Sequence, residues 1–250
     1  MTEKLLKRSD GSYISYELIE GQKNLTLVYL HGFQSSKKSE KTKTIKQIAR
    51  AKKVGYLSLD YTGHGDSSGQ AIDFRIGQCL TDALDVIQKV VQTPIILIGS
   101  SLGGWIAFLL AEKLSNRVLS VIGMAPGVDF MADMWKHRLT DKIRSALKAG
   151  QVIGPNEQTA NAPWTYEMFQ EAEQHLLLKK GIQYNGTVVL IHGDSDKTIS
   201  YQKSFQIKDA LTSSDVILHI LKGYGHTLTD AKCMQLLSNE LLRLIEEGKS

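Results

Sequence analysis

A short stretch in which an apolar strand enters a sharp turn and a helix leaves it constrains the fold most. The apolar and largely β-branched run from Ile95 to Ile98 enters the pentapeptide Gly99-Ser100-Ser101-Leu102-Gly103, and a run with helical apolar spacing from Trp105 to Ala111 follows. A Gly-x-Ser-x-Gly turn between a strand and a helix holds its central serine in a strained conformation, with the hydroxyl projecting from the end of the sheet. The stretch therefore predicts Ser101 as a nucleophile, and the alternative is a Gly-Ser turn without chemistry.

Strands and helices alternate along most of the chain. From residue 25 onward the alternation demands a parallel sheet with right-handed crossovers, and two short strands before it, joined by an Asp-Gly turn, are typical of a hairpin at the sheet edge. The sequence thus predicts an α/β fold with a mostly parallel, eight-stranded sheet and helices on both faces. The predicted strands are Leu5–Arg8, Tyr13–Ile19, Leu25–Leu30, Val54–Asp60, Ile95–Ile98, Val118–Met124, Thr187–Ile191 and Val216–Leu221, and the predicted core helices are Ser39–Lys53, Asp73–Val91, Trp105–Ala111, Ser200–Leu211 and Thr229–Glu246.

The alternation breaks between residues 126 and 185, where no strand is predicted and helical patterns dominate. Structureless loops of this length are rare in compact domains, so this segment is predicted to be an inserted helical cap. The predicted domains are a core of residues 1–125 and 186–250 and a cap of residues 126–185. The predicted cap helices are Asp129–Arg138, Asp141–Ala149 and Tyr166–Lys180.

A serine hydroxyl is a poor nucleophile at neutral pH, and it needs a base to take its proton and an acid to orient that base. In this topology the acid follows a later strand, and the histidine follows the last strand. Asp196 comes after the predicted strand Thr187–Ile191, and His226 comes after Val216–Leu221. The sequence therefore predicts Ser101, Asp196 and His226 as a catalytic triad.

Other acidic and imidazole side chains compete for these roles. Asp194 follows the same strand as Asp196, but its place at the strand tip suits an aspartate that holds the turn through backbone N–H groups. His219 lies within a strand pattern, which favours a packed histidine over a base. Three further histidines, His31, His64 and His192, each neighbour a glycine in a strand-end loop and are interpreted as shaping those loops.

A tetrahedral intermediate carries a negative oxygen, and preorganised backbone donors must stabilise it. One predicted donor is the N–H of Leu102, which follows the nucleophile at a helix N-terminus whose dipole helps. The second comes from the loop after the strand Leu25–Leu30, where Gly32 permits the turn. The N–H of Phe33 is the predicted donor there, and that of Gln34 is the alternative.

Large apolar side chains of the predicted cap indicate an acyl or aromatic group beneath them. The competing interpretation is packing within the cap, because helical apolar spacing usually marks a core. The candidate pocket residues are His31 and Gln34 in the loop after Leu25–Leu30, and Met131, Trp135, Trp164 and Phe169 in the cap.

Composition excludes several classes of protein. The net charge is only +4 over 250 residues, and the basic segment Lys37–Lys53 has the spacing of a solvated helix face rather than of a dense nucleic-acid patch. Cys79 and Cys233 are interpreted as buried free thiols, since no metal-ligand spacing appears, and no metal or cofactor is predicted. No run has the pattern of a signal peptide or the length of a membrane span, so a cytoplasmic location is expected. The oligomeric state is not readable from the sequence.

From Leu25 to the C-terminus, the chain resembles the α/β-hydrolase family. The residues that carry the resemblance are His31-Gly32-Phe33, Asp60-Tyr61-x-Gly63-His64-Gly65-x-Ser67, Gly99-Ser100-Ser101-Leu102-Gly103-Gly104-Trp105, His192-Gly193-x-x-Asp196 and Gly225-His226. With the cap ending Glu171-Ala172-Glu173-x-His175, the chain is similar to a subgroup of mitochondrial acyl-protein thioesterases and acyl-glucuronide esterases and their bacterial relatives. The resemblance implies a Ser101, Asp196 and His226 triad and ester or thioester substrates.

The resulting hypothesis is a serine hydrolase that cleaves carboxylic esters or thioesters through an acyl-enzyme intermediate. A peptidase or a carbon–carbon bond hydrolase on the same fold uses the same triad and stays open as an alternative. A third possibility is a non-catalytic binding protein on a hydrolase scaffold, because fold alone does not give function. Haloalkane dehalogenases and epoxide hydrolases need a carboxylate at the position of Ser101, which argues against both.

Overall fold

Eight strands form a single sheet in a computed structural model that describes residues 4–154 and 163–248. They are β1 (Lys4–Lys7), β2 (Tyr13–Ile19), β3 (Thr26–Leu30), β4 (Gly55–Leu59), β5 (Ile95–Ser100), β6 (Val118–Met124), β7 (Thr187–Gly193) and β8 (Val216–Leu221). The strand order is β1-β2-β4-β3-β5-β6-β7-β8. The pairs β1–β2 and β2–β4 are antiparallel, and the other neighbouring pairs are parallel. The predicted α/β fold with a mostly parallel, eight-stranded sheet is therefore confirmed, with the hairpin at one edge.

Helices cover both faces of this sheet. They are α1 (Glu40–Lys52), α2 (Ile76–Val90), α3 (Leu102–Lys113), α4 (Phe130–Asp133), α5 (Asp141–Lys148), α6 (Tyr166–Glu173), α7 (Gln202–Ala210) and α8 (Ala231–Glu247), and α4 continues into a wider π-helical turn, Met134–Arg138. Successive side chains of a strand point to opposite faces. In β5, Ile96 and Ile98 therefore pack in the layer with α1 and α8, whereas Ile95 and Leu97 pack with α2 and α3. Burial on both faces explains why β5 is apolar throughout.

Helix α2 begins at Ile76, later than the predicted Asp73, because a distant side chain caps it. The Asp73 carboxylate instead accepts the backbone N–H of Gln70 at 2.7 Å and closes a separate short turn, Ala71–Asp73. The N–H groups of Ile76 and Gly77 donate to the Glu171 carboxylate of α6 at 2.9 and 2.7 Å. An acidic group here satisfies donors that have no acceptor within the helix and complements the helix dipole.

The segment between β6 and β7 contains α4, α5 and α6. Its described residues include two isolated bridges, an antiparallel one in which Ile153 and Trp164 exchange N–H···O bonds of 3.0 and 2.9 Å, and a parallel one between Ile182 and Leu211. The Trp105 indole N–H of α3 donates to the carbonyl of His175 at 3.0 Å and ties the segment to the core. Residues 155–162 of the predicted cap lie outside the described residues, and the proposed domain division stays a prediction.

The third predicted cap helix is shorter than the sequence pattern indicates. It ends as α6 at Glu173, and the N–H groups of Leu177 and Leu178 both donate to the Asp129 carboxylate at 2.9 Å. Burial raises the pKa of the Asp129 carboxyl, and these two bonds satisfy its oxygens. The apolar run continues past residue 173, but its backbone bonds run to a side chain rather than along a helix.

We expect the Glu171→Ala substitution to lower the free energy of unfolding by about 1–3 kcal/mol. It removes the acceptor of the Ile76 and Gly77 N–H groups and the partner of the His175 Nε2, which lies 2.7 Å away. Urea unfolding measures the change. Glu167→Ala is the matched control, because Glu167 is exposed on the same helix, and its effect is expected within about 0.5 kcal/mol. Equal losses in the two variants would contradict the capping role.

Candidate active site

Ser101 lies in the strained turn that the pentapeptide predicts. Its φ is +54° and its ψ is −118°, a conformation that costs energy in any residue with a Cβ. A Cβ at Gly103 would lie 2.0 Å from the carbonyl oxygen of Leu30, and one at Gly99 would lie 2.2 Å from that of Gly103. Helix α3 can therefore approach the ends of β3 and β5 only with glycine at these positions. This approach brings Ser101 to the carboxyl edge of the sheet.

The structure brings His226 and Asp196 to the hydroxyl of Ser101. His226 Nε2 lies 3.0 Å from Ser101 Oγ, and His226 Nδ1 lies 2.7 Å from Asp196 Oδ2. The carboxylate can only accept a hydrogen bond, so Nδ1 carries a proton and Nε2 of the neutral ring can accept the serine proton. The Asp196 side chain is fully buried, whereas the His226 side chain is 23% exposed. This is the arrangement of a nucleophile, a base and an orienting acid.

The loops after β7 and β8 meet because their backbones are bonded together. The N–H of Ser195 donates to the carbonyl of Tyr224 at 3.0 Å, and a Cβ at Gly193 would lie 2.1 Å from that same oxygen. The predicted competitors have other partners. Asp194 accepts the N–H of Gly223 at 2.7 Å and holds this turn. His219, the competitor of His226, packs against α8, and its Nε2 lies 2.8 Å from the Glu240 carboxylate.

Four donors surround the buried Asp196 carboxylate. The N–H groups of Thr198 and Ile199 donate to Oδ1 at 2.8 and 2.9 Å, while the rings of His226 and His192 reach Oδ2 at 2.7 and 3.1 Å. Burial alone would raise the pKa of this carboxyl, but the bonds from His192, His226 and Ile199 hold it well below its usual value. Asp196 is therefore ionised at neutral pH.

The loop after β3 passes beside the nucleophile. A Cβ at Gly32 would lie 3.2 Å from Ser101 Cβ, and Gln34 has a left-handed φ of +55°. Leu102 is the first residue of α3, where backbone N–H groups have no acceptor in the helix. Phe33 and Gln34 line the same cavity as Ser101, and the role of the N–H groups of Leu102 and of either Phe33 or Gln34 as oxyanion donors stays a prediction.

A buried ion pair supports this loop, and the sequence interpretation missed it. Lys37 is 1% exposed rather than part of a solvated face, and its Nζ and N–H donate to the buried Asp60 at 2.6 and 2.5 Å. Lys41 is buried as well; burial lowers its pKa to about 8, and its Nζ donates to the carbonyl of Thr227 at 2.5 Å. Helical spacing marked both lysines as solvated, but only the partner residues reveal their burial.

A cavity of about 230 Å³ lies at Ser101 and His226. Its apolar walls are Phe33, Phe130, Met134, Trp164 and Ile199, and its polar walls are Gln34, Arg138 and Thr198. Arg138 also donates to the carbonyl of Thr198 across the cavity wall. The predicted pocket residues Gln34 and Trp164 thus line the cavity.

The other four predicted pocket residues do not line this cavity, which corrects the sequence prediction. Met131 and Trp135 lie on a neighbouring helical face to Phe130 and Met134, since a helix turns by about 100° per residue. The Trp135 ring instead packs at 5.0 Å from Phe169, which lies behind Trp164 at 5.6 Å. In the sequence, both Phe130 with Met134 and Met131 with Trp135 have the spacing of four residues that places a pair on one helical face. Which of the two faces points toward the serine depends on how the segment packs against the core.

His31 is the fourth of these residues, and it lies beneath the loop. It is fully buried and packs at 4.4 Å from the ring of Tyr61. Its Nδ1 lies 2.7 Å from the carbonyl of Gly32, and its Nε2 accepts the N–H of Tyr61 at 3.4 Å. Burial lowers the pKa of His31 to about 4, so the ring is neutral and shapes the loop. The ring of His64 also packs against the ring of His31, at 5.3 Å.

Known proteins are similar to this chain in sequence and in fold along most of its length. The chain matches the family described as "Uncharacterised protein family (UPF0227)" over residues 26–236. It is 27% identical to the mitochondrial palmitoyl-protein thioesterase ABHD10 of Bos taurus over 244 residues, which cover 97% of this chain and 79% of that protein. The structure of alpha/beta hydrolase domain-containing protein 10 from mouse has a TM-score of 0.90 at 25% identity, covering 99% of both chains. A putative hydrolase from Agrobacterium vitis S4 has the same fold, with a TM-score of 0.90 at 24% identity over 98% of both chains.

These matches confirm the resemblance to α/β-hydrolases and the prediction of a hydrolase enzyme of the esterase and thioesterase class. Across residues 4–154 and 163–248, no helix combines the length and apolar character needed to cross a membrane.

We expect the Asp196→Asn substitution to lower kcat by about 10³–10⁴-fold, because an amide no longer favours the tautomer of His226 that can accept the serine proton. Steady-state hydrolysis of a nitrophenyl ester measures the loss. Asp194→Asn is the control, since Asp194 follows the same strand and accepts hydrogen bonds from the Ser195 hydroxyl and the N–H of Gly223. A larger loss in Asp194→Asn would assign the acid to the competitor.

Proposed function

The chain belongs to the UPF0227 family, and on that premise we propose that it is a serine hydrolase that cleaves carboxylic esters or thioesters through an acyl-enzyme. The observation that carries the proposal is the contact series from Ser101 Oγ through His226 to Asp196, at 3.0 and 2.7 Å. Its homology to palmitoyl-protein thioesterases supports the substrate class. No step of this reaction requires a metal or an organic cofactor.

In the proposed mechanism, Ser101 Oγ attacks the acyl carbon while His226 Nε2 takes the serine proton. The ionised Asp196 stabilises the imidazolium that forms. Backbone N–H groups of Leu102 and Phe33 stabilise the oxyanion, with Gln34 as the alternative to Phe33. The C–O or C–S bond then breaks, and His226 returns the proton to the departing alcohol or thiol. Water, activated by His226, cleaves the acyl-enzyme by the same steps and releases the acid.

The cavity walls favour an apolar acyl or aromatic group on the substrate. Aromatic and aliphatic side chains form most of the wall beside the serine, and apolar walls with a few polar groups are typical of small-molecule sites. The volume of about 230 Å³ is below the range of about 300–1,000 Å³ that drug-sized ligands occupy. We therefore propose that the cavity holds a single ring or the part of an acyl chain next to the carbonyl.

Small-molecule or acyl-chain esters and thioesters are thus the proposed substrates. The cytoplasmic location expected from the sequence stays a prediction; Cys79 and Cys233 are both buried free thiols, as a reducing compartment would permit.

We expect Ser101→Ala to reduce ester and thioester hydrolysis by about 10⁴-fold or more while the protein stays folded. The variant should also fail to react with a fluorophosphonate probe, which labels activated serines. Ser238→Ala, on α8 and outside the cavity, is the control and should label like the wild type. Labelling of Ser101→Ala at the wild-type rate would contradict the proposal. A wild-type protein that neither labels nor turns over esters, thioesters or peptides would favour a binding protein.

We expect Met134→Ala to shift the preference of the enzyme toward longer acyl chains, because Met134 lines the cavity and its truncation enlarges it. The ratio of kcat/KM for a longer against a shorter nitrophenyl ester should rise by about ten-fold. Met131→Ala is the matched control, since Met131 is equally buried on the same helix but faces away from the cavity. Both variants should lose about 2–5 kcal/mol of stability. An equal shift in the two variants would contradict this assignment of the cavity.

A further inference from the structure

A second histidine contacts the acid of the candidate triad, at the same carboxylate oxygen as His226. His192 lies near the end of β7 and is fully buried. Its Nε2 lies 3.1 Å from Asp196 Oδ2 and 3.0 Å from the carbonyl oxygen of Ile199, and its Nδ1 lies 2.7 Å from the hydroxyl of Ser204 on α7. The contacts therefore run without a break from Ser204 to the nucleophile, through His192, Asp196 and His226.

The partners of His192 determine which of its nitrogens carries the proton. A carboxylate and a carbonyl can only accept hydrogen bonds, so the Nε2 that faces both must carry a hydrogen. Nδ1 faces a hydroxyl, which can donate to it, and the fully buried ring is therefore satisfied in its neutral form. His192 consequently donates to Asp196 Oδ2, the oxygen that also accepts from His226.

We propose that His192 is a positioning residue of the hydrolase, which fixes the Asp196 carboxylate and tunes the basicity of His226 through it. The inference rests on the proposed function, because it assigns His226 as the base. Two backbone N–H groups hold Oδ1, and the rings of His226 and His192 both donate to Oδ2. With His192 in place, Oδ2 keeps a second donor when the imidazole of His226 moves during the reaction.

The effect on basicity follows from the sharing of one oxygen. A donor on Asp196 Oδ2 draws part of its negative charge away from the ring of His226. Removing that donor leaves more negative charge facing His226, which favours the imidazolium form of its ring. The base would then be protonated, and inactive, up to a higher pH.

Other charged groups near these rings have separate partners. Arg138 bonds to the carbonyl of Thr198, and Lys41 of α1 bonds to that of Thr227, next to His226. Lys203 of α7 pairs with Asp133 of α4 at 2.6 Å, and Asp194 bonds to the N–H of Gly223. In the described parts of the chain, the Asp196 carboxylate bonds instead to Thr198, Ile199, His192 and His226. The other charged groups are unchanged in the variants below and cannot produce the difference between those variants.

His192→Leu removes the donor, whereas His192→Gln can direct an amide N–H to the position of Nε2. We expect the acid limb of the pH profile of kcat/KM to move up by about half a unit to one unit in His192→Leu. We expect kcat to fall by about ten-fold or more, with KM little changed, because the misplacement affects the reacting groups and not the cavity. His192→Gln should restore most of both. His219→Leu, a histidine replacement on β8 outside the site, should leave the limb unchanged.

The decisive measurements are the pH dependence of fluorophosphonate labelling and of ester turnover for these variants, with the melting temperature of each. An acid limb that stays at its wild-type pH in His192→Leu, or moves to lower pH, would overturn the proposal, and so would losses that follow the melting temperature alone. Nitrogen NMR of the wild type supplies a test that needs no variant or turnover. We expect a neutral His192 with the proton on Nε2 while His226 titrates, and a proton on Nδ1 alone would overturn the inference. Failure of the proposed function would appear differently, as absent labelling and absent turnover in the wild type.

Discussion

The close approach of α3 to the ends of β3 and β5 is the constraint on which the site depends. Glycines at 99 and 103 permit that approach, because any Cβ there would lie about 2 Å from a backbone oxygen. The chain must therefore turn sharply between strand and helix, and Ser101 takes the strained conformation in this turn. Strain of this kind persists only where the surrounding structure determines it. Here β5 and α3 are buried along their lengths, so packing supplies the energy that the turn costs.

Buried and partly buried carboxylates hold the remaining parts of the site around this turn. Asp60 binds the backbone and the side chain of Lys37, next to the loop after β3. Asp129 binds two backbone N–H groups after α6, and Glu171 binds two at the start of α2. Asp196 does the same within its own loop. Each carboxylate loses hydration on burial and recovers it from main-chain donors. The result is that loops and helix ends distant along the sequence are joined by short, directional bonds.

The sequence predicted the features that depend on local pattern and chain order. Ser101, Asp196 and His226 could be named because each follows a recognisable strand, and the carboxyl ends of parallel strands meet at one edge. The cavity walls could not be named in the same way. Phe130 and Met131 are equally apolar and adjacent, and only the docking of their helix decides which one faces the serine. The burial of Lys37 and the capping by Glu171 likewise depend on partners distant in sequence, which periodicity alone does not reveal.

The hydrogen-bond donors that make the burial of the Asp196 carboxylate possible also set the charge that faces His226. An ionised carboxylate that is fully buried is tolerated only when donors compensate its lost hydration. Its lowered pKa means that it contributes stability above the pKa of an unfolded aspartate, about 4, and that this contribution is lost as the pH falls through its lower folded value. The donors that provide this stability also decide the direction of its lone pairs and the charge that His226 experiences. A residue such as His192, which is fully buried and does not line the cavity, can therefore affect the reactivity of the serine through the same bond that stabilises the fold.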